Sequence, residues 1–70
     1  MGLNKALLKS KMAKYGDTQA ILAKRIGLSL SRLNAKINES DGAAFSQSEM
    51  ALIISRYHLT PDEATEIFFG

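Results

Sequence analysis

Twenty residues, Gln19 to Asn38 (QAILAKRIGLSLSRLNAKIN), constrain this chain more than any other stretch. Two short helical patterns meet there at Gly27. Leu22, Ala23 and Ile26 are three and four positions apart, so they fall on one face of a first helix. Leu33 and Ile37, four apart, do the same in a second. Gly27 tolerates the positive φ that a tight turn needs, and the small Ala23 lets the two helices cross closely. Leu28 can plug the angle between them. Ser29 can start the second helix by accepting a hydrogen bond from an early backbone N–H. The stretch predicts a helix-turn-helix.

The chain has 70 residues, enough for one domain (1–70) near the lower limit for a core held by apolar packing alone. It has no cysteine, so neither a disulfide nor a thiolate metal site is available, and cytosolic residence is permitted. No apolar run reaches the length of a membrane span, and no signal-peptide pattern is present. The net charge of +2 hides a strong division. Residues 1–38 carry Lys5, Lys9, Lys11, Lys14, Lys24, Arg25, Arg32 and Lys36 against Asp17 alone. Residues 39–70 carry Arg56 against Glu39, Asp41, Glu49, Asp62, Glu63 and Glu66. The basic half holds the helix-turn-helix, and a positive face attracts phosphate backbones in a salt-dependent way.

The flanks read as further helices. Leu8, Met12 and Tyr15 give an apolar stripe to a helix over Leu3 to Tyr15, with Ala6 and Leu7 beside it and lysines opposite. Gly16 suits the residue just past that helix. Asp17 or Thr18 can cap the next, and Ile21 is expected in the core or on a second packing face. ESDGAA after Asn38 is a polar, small-residue loop. Ser46 and Glu49 fit a capping box, and Phe45 with Met50 a hydrophobic staple; Met50, Ile53, Ile54 and Tyr57 continue the stripe. Thr60-Pro61-Asp62-Glu63 is a second capping box with proline at the first helical position, opening a short helix that turns Ala64, Ile67 and Phe68 inward. The predicted fold is all-α, a compact bundle of five helices.

No catalytic constellation accompanies this pattern. His58 is the only histidine and falls late in a helix, while Glu49 and Glu63 are explained as caps. Asp62, Glu63 and Glu66 lack the ligand spacing of a metal loop. The expectation is no enzyme, no cofactor and no metal.

The motif resembles the DNA-binding unit of the lambda-repressor-like (Cro/C1, or Xre) family. Gln19, Leu22-Ala23, Ile26-Gly27-Leu28 and Ser29 stand in matching places, and Asn38 matches an asparagine often found at the end of the second motif helix. The flanking NKALLKSKMAKYGDTQ, SQSE, LTPDE and IFF resemble small phage regulators of that family. Three positions depart from its pattern: Asp17 and Lys36 replace apolar residues, and Glu39 stands where glycine often follows the asparagine. The resemblance implies a lambda-repressor-like fold and a transcriptional regulator of the Cro or repressor type. It would insert its third helix in the major groove of a double-stranded DNA operator. It also implies a homodimer on two-fold related sites, in the cytoplasm and nucleoid of a bacterial or phage-infected cell.

Leu28 and Leu33 must face the core, which turns Leu30, Ser31, Arg32, Asn34 and Ala35 outward as candidate base-reading residues. By resemblance, Leu30, Ser31, Asn34 and Ala35 hold positions that commonly approach bases. Arg32 can bond guanine O6 and N7 or hold a phosphate, Asn34 can read adenine, and Leu30 or Ala35 can touch a thymine methyl. Gln19 matches the family's phosphate-contacting glutamine. Ser29, Lys36, Asn38, Ser46 and Gln47 are further phosphate candidates; capping is the alternative for Asn38, Ser46 and Gln47 as well as the role already given to Ser29, and lying over the core edge the alternative for Lys36. The lysines of the first helix form a solvated face with long-range attraction. Phe69, and with it Phe68, is a candidate dimer contact. A rival reading follows from Leu30 and Ala35, which make the presumed reading face less polar. An antirepressor or antitoxin-like protein could use the same fold to bind a regulatory protein.

Overall fold

Each helix begins on a side chain that accepts a hydrogen bond from the backbone N–H three residues further on. Asn4 accepts from Leu7, Thr18 from Ile21, Ser29 from Arg32, Ser46 from Glu49 and Thr60 from Glu63. Such a cap contributes about 1 kcal/mol by satisfying one of the donors left over at a helix start. The computed structural model describes residues 2–70. Among them the caps open α1 (Lys5–Lys14), α2 (Gln19–Arg25), α3 (Leu30–Asn38), α4 (Gln47–Tyr57) and α5 (Pro61–Phe69), and no strand is present. Both predicted capping boxes are complete, with the Glu49 and Glu63 carboxylates returning to the backbone N–H of Ser46 and Thr60. Two expectations shift. Asn4 starts the first helix at Lys5 instead of Leu3, and Thr18 caps the second while Asp17 is used elsewhere.

Three helices end alike. Leu28 N–H bonds the Ala23 carbonyl at 2.8 Å, Asp17 N–H that of Met12 at 2.8 Å, and Leu59 N–H that of Ile54 at 3.0 Å. Each closure needs a left-handed residue just before the donor. Gly27 supplies it after α2 with φ 76°, whereas after α4 the residue is His58, at φ 50°. After α3, Glu39 also turns left-handed, and Ser40–Gly42 form a single 3₁₀ turn.

One core gathers from every helix. Leu8 and Met12 meet Leu22, Ala23 and Ile26, Leu33 and Ile37, Ile53 and Tyr57, Leu59, and Ile67 and Phe68, all buried. Burying one leucine or isoleucine fully contributes roughly 1.5–3 kcal/mol, so a dozen such positions are what a 70-residue chain has to offset its chain entropy. Leu28, Phe45, Met50, Ile54 and Ala64 pack on its margin. Ile21 does not join: it lies on the outer face of α2 and is 40% exposed. Ala6 and much of Tyr15 are also exposed, though the Tyr15 hydroxyl reaches the Tyr57 carbonyl at 3.2 Å.

Three ion pairs bind the basic half of the chain to the acidic half. Lys11 meets Glu63 at 2.5 Å, Lys36 meets Glu49 at 2.7 Å, and Arg56 meets Asp17. The first joins α1 to α5, an adjacency also fixed by the Asn4 N–H on the Ile67 carbonyl at 2.6 Å. No helix among the described residues is long and apolar enough to cross a membrane.

Candidate nucleic-acid interface

α3 touches the interior through few side chains. Leu33 and Ile37 are its buried residues, four apart, and they leave the opposite side of this nine-residue helix outward. Leu30 is 52% exposed, and Ser31, Arg32 and Asn34 are exposed with it. Ala35 is half-buried. All five base-reading candidates thus lie on the helix that follows directly on the Gly27 turn, four of them exposed.

The phosphate candidates separate. Gln19 is the half-buried first residue of α2, and Gln47 the exposed first residue of α4. The Ser29 oxygen accepts from Arg32 N–H at 3.2 Å, and the Ser46 oxygen from Glu49 N–H at 3.2 Å. Both serines are thus caps, with the hydroxyl proton still available to an anion; that of Ser46 also has Ser48 Oγ at 3.1 Å.

Lys36 is engaged within the protein. Its ammonium, offered above to phosphate, is held by Glu49 in a largely buried pair, the two side chains being only 11% and 14% exposed. Burial opposes ionisation of Glu49, but hydrogen bonds from Lys36 and Ser46 outweigh it and hold the carboxyl below its ordinary value. This pair fastens the C-terminal half of α3 to the first turn of α4. Asn38 is occupied as well: its oxygen accepts from Lys5 Nζ and its amide donates to Asn34.

A contact that the sequence did not reveal anchors the other side. The Asp17 carboxylate, its side chain only 3% exposed, accepts from Arg56 Nε at 2.6 Å, from Arg56 Nη2 at 2.7 Å and from the Tyr57 hydroxyl at 2.6 Å. The Arg56 hydrogen bonds, against the opposing effect of burial and with help from Tyr57, keep Asp17 below the usual aspartate value. Burial, then the neighbouring carboxylate, push the Tyr57 phenol up. Asp17 thereby ties the turn before α2 to the end of α4. The available signal was its rarity: it is the only acid among the first 38 residues, and Arg56 the only base among the last 32.

Two consequences follow for the charge of the surface. Lys11 and Lys36 are neutralised locally, so the basic residues outside ion pairs, among those described, are Lys5, Lys9, Lys14, Lys24, Arg25 and Arg32. The six lie on α1, α2 and α3.

The C-terminal aromatics also divide. Phe68, offered with Phe69 as a dimer contact, is buried and meets Phe45 edge-on at 6.0 Å, so it belongs to the core. Phe69 is 61% exposed beside a cavity of about 120 Å³ lined by Leu3, Phe45, Met50 and Phe68. Among the described residues no group of three or more His, Asp or Glu is placed to hold a metal ion. No family model, curated protein or solved structure matches the chain.

Proposed function

We propose that the chain is a sequence-specific, double-stranded DNA-binding transcriptional regulator of the lambda-repressor-like type, and that α2, the Gly27 turn and α3 are its helix-turn-helix. One observation carries the reading: α3 is packed through Leu33 and Ile37 while Leu30, Ser31, Arg32 and Asn34 stand exposed. In helix-turn-helix proteins the second helix enters the major groove with its N-terminal residues at base edges. Hydroxyl, guanidinium and carboxamide groups are the side chains that read those edges, and an exposed leucine suits a thymine methyl. The six basic residues outside ion pairs lie on the same three helices and supply the attraction to phosphate. No catalysis is involved: the protein acts by occupying its operator.

A single module of this size reads few bases, so two copies bind a two-fold related site. The exposed Phe69 is the contact proposed between them. The experiment is selection from a randomised duplex pool at physiological salt, with the bound fraction sequenced. A recovered motif with two-fold symmetry supports the regulator and its dimer.

Leu30 favours one other reading. An apolar side chain at the tip of the face suits a protein partner, as in an antirepressor or antitoxin-like protein. A folded chain that enriches no duplex, even at low salt, supports that alternative.

A further inference from the structure

We propose that Asn34 reads its base as a hydrogen-bond donor, and that Lys5 sets this polarity from another helix by way of Asn38. The inference rests on the DNA-binding reading above. A lysine ammonium has three N–H donors and no acceptor. Lys5 Nζ lies 3.2 Å from Oδ1 of Asn38, so the Asn38 carboxamide turns its oxygen toward α1. Its Nδ2 then donates to Oδ1 of Asn34, also at 3.2 Å and four residues earlier on the same face of α3. One lone pair of the Asn34 oxygen is engaged and the oxygen is turned along the helix toward Asn38, so the NH₂ group is the end presented to a base. Reversing either amide would set N–H against N–H, so the lysine fixes the direction of the whole chain.

The root of this relay is held firmly. Lys5 is the first residue of α1, directly after the Asn4 cap, and Asn4 N–H is bonded to the Ile67 carbonyl at 2.6 Å. Both hydrogen bonds of the relay are exposed in the protein alone. Covering them with a duplex removes competing water and strengthens them.

The polarity selects the base. An asparagine free at both ends spans adenine, accepting from N6 and donating to N7. One that presents donors alone matches an edge made of acceptors, and guanine, with N7 and O6, is the base whose major-groove edge is acceptor-only at both positions. At adenine or cytosine an exocyclic amine meets the Asn34 NH₂ without an acceptor. The target of Asn34 is therefore guanine and not the adenine expected from residue type. Lys5 and Asn38 are positioning residues: they touch the base only through Asn34.

The test compares base preferences of the wild type, Asn34→Ala, Asn38→Ala, Lys5→Met and Lys5→Arg, each first shown to be folded by circular dichroism. The probes are duplexes recovered from the randomised pool, with all four base pairs installed at the position whose preference disappears in Asn34→Ala. Expected is guanine at that position, favoured over adenine by about tenfold in the wild type. Lys5→Arg, still a pure donor, keeps the preference; Lys5→Met and Asn38→Ala shift it toward adenine and leave other positions unchanged. Adenine preferred by the wild type, no position responding to Asn34→Ala, or Lys5→Met lowering affinity equally for all four base pairs would each overturn the relay while leaving the regulator intact. Absence of binding to any duplex would instead remove the DNA-binding reading, and the relay with it.

Discussion

Arg56 donates to both carboxylate oxygens of Asp17, at 2.6 and 2.7 Å, across 39 residues of chain. The Tyr57 hydroxyl adds a third bond to the same carboxylate. Removing Asp17 leaves a guanidinium without its counter-charge and a largely buried phenol without its acceptor. Asp17→Ala is expected to cost about 2 kcal/mol. In a domain of this size that lowers Tm by roughly 10 °C, read by thermal circular dichroism. An unchanged Tm would show that the pair is decorative.

Acid should act through the same chemistry. Asp17 and Glu49 titrate below their ordinary values, and the Lys11 hydrogen bond, with the Thr60 backbone, holds Glu63 at about 2 against an ordinary 4.5. A carboxyl depressed by folding binds its proton more tightly in the unfolded chain. Its contribution is therefore complete above the unfolded value and disappears as pH falls toward the folded one. Tm is expected to be level near neutrality and to fall as pH drops from about 4.5 toward about 2. Glu63→Gln should flatten part of that slope; a profile identical to the wild type would contradict the assignment.

His58 stands at φ 50° where a left-handed residue closes the end of α4. A side chain there costs roughly 1–2 kcal/mol relative to glycine, partly repaid by its contact with the Tyr15 ring. His58→Gly is expected to stabilise by up to about 1 kcal/mol in urea unfolding. A loss of stability would mean that the ring contact outweighs the backbone strain.

Arg32 and Lys36 lie one turn apart on α3 with opposite expected roles. Arg32→Ala should either reduce the salt dependence of duplex binding by about one unit of slope or relax preference at one base pair. Lys36→Ala should leave the salt slope unchanged and instead lower stability by about 1 kcal/mol, because it strands Glu49. The two readouts, binding at several salt concentrations and chemical unfolding, separate the residues cleanly. A reduced slope in Lys36→Ala would restore it as a phosphate contact.

Phe69→Ser tests the proposed contact between copies. Since the ring is 61% exposed, the change should leave the Tm of the dilute protein within about 2 °C. It should abolish concentration-dependent association in sedimentation equilibrium. Equal association of wild type and variant would move the interface elsewhere.

The sequence was most informative where the interaction spans a few residues. Ser29, Ser46 with Glu49, and Thr60 with Glu63 act as caps as their spacing predicts. Leu22, Ala23, Ile26, Leu33 and Ile37 are buried, as period and turn together require. Reading failed where one charge had to find another far along the chain. Asp17 looked like a cap because its partner lies 39 residues away, and Lys36 was read as a phosphate contact or as lying over the core edge because Glu49 was already explained by its box. Ile21 shows a different limit: on a seven-residue helix, periodicity does not decide which flank of the apolar face meets the bundle. The outward set on α3 was read from Leu28 and Leu33, and of it Leu30, Ser31, Arg32 and Asn34 are exposed while Ala35 is half-buried; the direction of the Asn34 amide was not legible, because Lys5 sets it from another helix.

The five side-chain caps bear on how quickly the molecule comes into being. Each helix start is specified within a span of four residues, so the search that remains is the mutual docking of five short rods. Helical domains dominated by such local contacts fold in microseconds to milliseconds. Ribosomes add only about 5–20 residues per second. Once the last residues of α5 are free, the protein reaches its working shape faster than a ribosome adds one amino acid.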